Sequence, residues 1–148
     1  MLIGSIEDKA YARQVAQLAK NLPITIHHEV TRSELTSWYN RAALYWHATG
    51  YEIDEAAQPE KVEHFGISTV EAMAAGCAPI VINKGGQREI LTNGLQPYLW
   101  NSLDECVEKT YQLINDPVQL HHVQLMAQER AQQFNQANFE QQVLAMVE

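Results

Sequence analysis

Two carboxylates, Glu63 and Glu71, bracket the run His64-Phe65-Gly66-Ile67-Ser68, and the spacing of Ser68 and Glu71 predicts the start of a helix. Ser-x-x-Glu is the form of a capping box, in which the serine accepts from an early backbone N–H and the glutamate reaches back. The amides of Phe65, Gly66, Ile67 and Ser68 would then converge at the positive end of that helix. Such a terminus seats an anion such as a diphosphate, and a glycine there lets the ligand approach the backbone closely. Carboxylates beside an anion seat repel it unless they face something else. A carboxylate accepts two O–H donors from a vicinal diol, so a ribose or a pyranose is the fitting neighbour. These residues point to a ligand with a charged middle and sugar at both ends, against the plainer reading of a capping glutamate and a solvated loop carboxylate.

Three nearby features carry chemistry less specifically. Gly85-Gly86 reads equally as a ligand-facing turn and as a tight strand-to-helix turn needing positive φ. His47 ends a predicted strand, where it is either a structural histidine or a donor to a sugar or phosphate oxygen. Lys84 and Arg88 either neutralise a departing diphosphate or simply flank the turn at the surface.

The elements that must position these groups are legible in the pattern. Val70 to Ala75 is rich in helix formers, and Gly76 stands where a left-handed C-terminal residue belongs. Ala78-Pro79-Ile80-Val81-Ile82 reads as a strand buried on both faces. Upstream, Leu2-Ile3 ends in the turn Gly4-Ser5, and Ile6 to Asn21 is helical with Tyr11, Val15, Leu18 and Leu22 on one face. Ile24 to Val30 alternates as a strand, and Thr31-x-x-Glu34 opens a helix over Arg32 to Ala42 with Leu35, Trp38 and Tyr39 inward. Ala43 to His47 is a strand, and Tyr51 to Val62 is a polar, acidic loop that reads either as a lid or as a disordered insertion. Downstream, a short helix from Gln87 to Leu91 precedes an edge-like strand at Tyr98-Leu99-Trp100. Ser102-x-x-Glu105 opens a helix burying Leu103, Val107, Tyr111 and Ile114, Asp116-Pro117 opens another, and Phe139, Val143 and Val147 suggest a last one. Alternating strands and helices predict an α/β fold with a Rossmann-like, mainly parallel sheet. In such sheets ligands sit at the carboxyl ends of strands, so His47, Glu63 and Gly85-Gly86 can share one crevice.

The run from Glu63 to Glu89, E-H-F-G-I-S-T-V-E-A-M-A-A-G-C-A-P-I-V followed by G-G-Q-R-E, resembles the signature of the nucleotide-sugar-binding half of retaining GT-B glycosyltransferases, notably glycosyltransferase family 4. The resemblance implies that Glu71 holds ribose hydroxyls and that Glu63, the catalytic candidate, lies against the hydroxyls of the donor sugar. It implies contacts from the Phe65, Gly66 and Ile67 backbone to sugar and diphosphate, and places Gly85-Gly86 beside the donor. His64 stands where many members carry glycine; a subset with His-Phe-Gly includes mannosyltransferases. By this resemblance the reaction retains anomeric configuration and uses no metal or other cofactor. The chain would be one carboxyl-terminal donor domain, 1–148, lacking the amino-terminal acceptor-binding domain and therefore inactive alone. The alternative is a non-catalytic nucleotide- or partner-binding module. A dinucleotide-dependent oxidoreductase is disfavoured, because Gly4-Ser5-Ile6 replaces a GxGxxG run.

Composition narrows the partners. At 148 residues and 46% apolar content the chain suits one globular domain. A formal charge of −8 argues against nucleic acid, and against an anionic membrane surface as the partner of this segment. No secretory pattern and no spanning apolar run is expected, Cys77 and Cys106 suggest no disulfide framework, and no metal-ligand spacing appears among the six histidines. A reducing, cytoplasmic setting is expected, and the partner is a nucleotide sugar.

Overall fold

The computed structural model describes residues 1–147, and the chain divides into two compact units, Met1–Trp38 and Tyr39–Glu148. In the first, β1 (Leu2–Ile3) pairs in parallel with β2 (Ile26–His27), and α1 (Lys9–Ala19) lies between them in sequence. The Asp8 carboxylate caps α1 by accepting from the Ala10 and Tyr11 amides. Ile24 to Val30 yields only a two-residue strand, because Glu29 adopts φ 55° and breaks the extended path. The face expected to be buried is also only partly so: Val15 is half-buried with Ala12 and Ala19, whereas Tyr11, Leu18 and Leu22 are exposed. The helix α2 (Arg32–Tyr39) opens on the expected capping box. Thr31 Oγ1 accepts from the Glu34 amide, and the Glu34 carboxylate accepts from the Thr31 amide at 2.8 Å.

The second unit is built on a three-stranded parallel sheet, β3 (Leu44–His47), β4 (Ala78–Ile82) and β5 (Leu99–Trp100), with β4 in the middle. Leu44 lies opposite Ala78 and His47 opposite Val81; Val81 and Ile82 lie opposite Leu99 and Trp100. All five residues of β4 are buried, as its continuous apolar run requires. Pro79 is tolerated in this central strand for a geometric reason. The Ala78 amide points to β3, donating to the Ala43 carbonyl, so the next nitrogen points the other way, short of the level where β5 begins to pair.

Helices cover the sheet. The helix α3 (Ile67–Ala74) joins β3 to β4, α4 (Gln87–Ile90) joins β4 to β5, and α5 (Leu103–Asn115), α6 (Pro117–Ala131) and α7 (Gln136–Val147) follow. Gly76 ends the α3 segment at φ 91°, in the left-handed conformation expected of it. Met73, Ile80, Val81, Ile82, Ile90, Leu91, Leu95, Trp100, Leu113 and Val123 form one buried cluster. The parallel sheets flanked by helices are the Rossmann-like α/β fold that the alternation of elements predicts.

The rotation of α5 differs from expectation. Leu103, Val107, Tyr111 and Ile114 are all more than half exposed. Instead Leu113 enters the core, Cys106 packs against it, and Thr110 Oγ1 accepts from the Trp46 indole on β3. Two adjacent faces of this helix carry apolar residues, and the contacts made by Leu113 and Thr110 select the less apolar one.

Candidate functional site

The carboxyl ends of β3 and β4 lie side by side, so the segments that leave them meet. His47 is the last residue of β3 and is buried. Beyond β4 the chain turns through Asn83, Lys84, Gly85 and Gly86 into α4. The Gly86 amide donates to the Glu63 carbonyl at 2.9 Å, which fastens this turn to the segment preceding α3. Neither glycine tolerates a side chain there. A Cβ on Gly85 would stand 2.2 Å from the Glu63 oxygen, and one on Gly86 would stand 2.3 Å from that of His64. The pair therefore works as a backbone clasp.

Helix α3 starts two residues earlier than its sequence suggests. Gly66, at φ 103°, occupies the cap position with no side-chain hydrogen bond, so Ser68 is not the cap and the Ser68–Glu71 capping box is not formed. Ser68 lies in the first turn, where its Oγ accepts from the Tyr45 hydroxyl at 2.8 Å and ties the helix start to β3. Gly66 also turns out to be constrained from within. Its absent Cβ would meet Gln87 Nε2 at 2.7 Å and Ile90 Cδ1 at 2.9 Å, so the space it leaves belongs to α4 and not to an approaching ligand. Gly66 has no side chain with which to cap, which leaves the leading amides of the first turn to other acceptors.

Glu63 and Glu71 both act electrostatically on Tyr45. Burial holds the Tyr45 hydroxyl above its usual range, and the negative charges of Glu63 and Glu71 act on it in the same direction. The hydroxyl therefore stays a donor. Glu63 also meets His47, with 3.5 Å between His47 Nε2 and the carboxylate. Burial drives the His47 pKa below its ordinary value, against the opposing pull of Glu63, so the ring is neutral near pH 7.

The other expected site residues lie at the start of α3 and around the turn after β4. Phe65 and Ile67 are exposed at the start of α3, and the Phe65 ring meets Phe134 edge-on at 5.7 Å. The His64 ring nitrogen Nε2 lies 3.2 Å from the Pro59 carbonyl, on the loop side. Lys84 and Arg88 do not face an anion seat. Lys84 Nζ donates to the Gly50 and Ile53 carbonyls, and Arg88 makes a two-pronged pair with Glu55 at 2.8 Å on each arm. Both cations pin the loop between β3 and Glu63. Cys77, buried beneath, donates to the Tyr39 carbonyl, and burial pushes its thiol up to about 11. Among the described residues no group of three His, Cys, Asp or Glu side chains is arranged to hold a metal, and no helix is long and apolar enough to cross a membrane.

Two residues of the site escaped the sequence pattern: Tyr45, read only as part of a strand, and Gln87, read only as the start of a helix. Gln87 is fully buried. A polar side chain on a helix face shared with Ile90 and Leu91, directly after a glycine pair, was the available signal.

Residues 1–137 match the family model described as Glycosyl transferases group 1. A GDP-Man:Man(3)GlcNAc(2)-PP-Dol alpha-1,2-mannosyltransferase of Dictyostelium discoideum is 28% identical over 155 residues, covering 99% of this chain and 28% of that protein. An alpha-1,3/1,6-mannosyltransferase ALG2 of the same organism is 39% identical over 57 residues, covering 38% of this chain and 14% of its own length. The chain thus spans less than a third of the length of either relative.

Proposed function

The chain belongs to the glycosyl transferases group 1 family, and from that premise we propose that residues 1–148 are the donor-binding domain of a longer, retaining GT-B hexosyltransferase of the family 4 kind. The domain binds a nucleotide-diphosphate sugar, and the acceptor is held by a domain outside this chain. Both relatives are mannosyltransferases by name, which makes GDP-mannose the first donor to test.

The observation that carries this reading is the junction at which Glu63, joined to Gly86 through its carbonyl and to His47 through its carboxylate, stands just before the uncapped start of α3. In transfer, the bond from the anomeric carbon to the diphosphate oxygen breaks, and negative charge grows on the leaving diphosphate. Backbone amides at the start of α3 receive that charge. Glu71 accepts from the ribose hydroxyls and Glu63 from those of the sugar, so the two carboxylates fix both ends of the donor while the amides hold its middle. No divalent metal takes part in this scheme.

Titration of the chain with GDP, GDP-mannose, UDP and UDP-glucose, followed by amide NMR shifts, tests it. Shifts centred on Glu63 to Glu71 and on Gly85-Gly86 are expected for at least one nucleotide. Silence with all four favours a module that kept the fold without the ligand.

A further inference from the structure

Glu63 does not stand alone: behind it is His47, and behind His47 is Gln87. Gln87 Nε2 lies 3.4 Å from His47 Nδ1, and His47 Nε2 lies 3.5 Å from the Glu63 carboxylate. Gln87 is 0% exposed and His47 8%. With the ring neutral, only one assignment of protons satisfies both contacts. The carboxylate of Glu63 has no proton to give, so Nε2 must carry the ring hydrogen; Nδ1 is then a lone pair and needs a donor, which the Gln87 amide supplies. Turning that amide over would place its oxygen against Nδ1, demand a hydrogen there, and in a neutral ring leave the bare Nε2 lone pair facing a carboxylate.

We propose that Gln87 is a positioning residue that acts through His47: it locks the ring in the Nε2–H tautomer, which donates to Glu63 and aims its carboxylate at the hydroxyls of the bound sugar. The consequence for sugar binding rests on the donor-binding reading above, while the tautomer does not. A carboxylate has room for several donors, so one N–H from His47 steadies Glu63 and leaves it able to accept hydroxyls. The groups facing the ring are Glu63 from the segment before α3, Gln87 from α4 and Tyr45 from β3, the last with ring centroids 6.4 Å apart. Gly66 fits the same scheme, since its missing side chain makes the space in which the Gln87 amide sits.

The test is the long-range proton–nitrogen NMR spectrum of the histidine rings in the nucleotide-free chain, with His47 assigned by its loss in His47→Asn. At pH 7.5 His47 is expected to be protonated on Nε2 and bare on Nδ1; a proton on Nδ1 overturns the proposal. Gln87→Glu puts a carboxylate on each side of the ring, so His47 should carry both protons at pH 7.5. An unchanged His47 spectrum in that variant would show that Gln87 only fills space. Gln87→Met, of matching length, supplies no donor, and the two ring nitrogens should move toward averaged shifts. In the same variant the affinity for a bound nucleotide sugar should fall about 2- to 10-fold, the range for one neutral hydrogen bond, with the bare nucleotide unaffected. If no nucleotide sugar binds at all, the donor-binding reading fails while the spectra still decide the tautomer.

Discussion

The Gly86 amide donates to the Glu63 carbonyl at 2.9 Å, and that one bond joins the two halves of the site. Gly86 has φ −63°, an ordinary helical value, so conformational freedom is not why a glycine is there. Space is the reason, because any Cβ would press on the carbonyl oxygens of His64 and Phe65 at 2.3 and 2.7 Å. Backbone atoms cannot swing aside as a side-chain tip can. Gly86→Ala is therefore expected to destabilise the chain by about 1–3 kcal/mol in urea unfolding, the usual cost of overpacking. It should also spread amide shifts across Glu63 to Phe65. A variant as stable as wild type with unmoved shifts would show that the clasp is loose.

Glu71 and Glu63 should separate in their effects. If Glu71 takes the ribose and Glu63 the sugar, Glu71→Gln weakens nucleotide and nucleotide sugar alike. Glu63→Gln should weaken only the nucleotide sugar. Hydrogen bonds to a charged group contribute about 1.5–3 kcal/mol, so each loss is expected to be roughly 10- to 100-fold in calorimetric titration. Equal behaviour of the two variants toward the bare nucleotide would contradict the division of roles.

How much of this was legible in the sequence follows from what each feature depends on. The strand Ala78–Ile82 and the left-handed Gly76 were readable because a continuous apolar run and a helix-ending glycine are local signals. The capping box at Thr31 formed and the one at Ser68 did not, although both fit the hydroxyl-x-x-Glu pattern. Gly66 two residues earlier takes the cap, and the Tyr45 hydroxyl claims Ser68 across more than twenty residues of chain, which no local motif records. Likewise, Lys84 and Arg88 were legible as cations flanking the turn after β4, but their charge goes to carbonyls and a carboxylate of the 50–55 loop. The exposed stripe of α5 shows the same limit, since a helix with two apolar faces leaves its rotation to its neighbours.

His47 makes stability depend on pH in a definite direction. Burial lowers its folded pKa below the ordinary value near 6.5, with Glu63 opposing only in part. The unfolded chain therefore takes up the proton more readily than the folded one. This contribution is fully present above about pH 6.5 and is lost as pH falls from there toward the folded value. Urea midpoints measured from pH 7.5 to 5 should fall more steeply for wild type than for His47→Gln, which lacks the titrating ring. Parallel curves would mean that His47 protonates equally well in both states.

The loop that leads from β3 to Glu63 is held by two cations that differ in kind. Lys84 Nζ is half-buried and satisfies the Gly50 and Ile53 carbonyls, whereas the Arg88–Glu55 pair lies at the surface and is screened by water. Lys84→Met should therefore matter more than Arg88→Met, even though the arginine makes the geometrically better pair. In hydrogen exchange the Tyr51 and Ile53 amides, which bond within this turn, are expected to exchange about tenfold faster or more in Lys84→Met, while those of Ile80 and Val81 in the central strand keep their protection. Arg88→Met should change the same amides by less than about threefold. The reverse order would mean that the loop is fastened from its outer end, with Glu55 and not the Gly50 and Ile53 carbonyls as the point that orders the approach to Glu63.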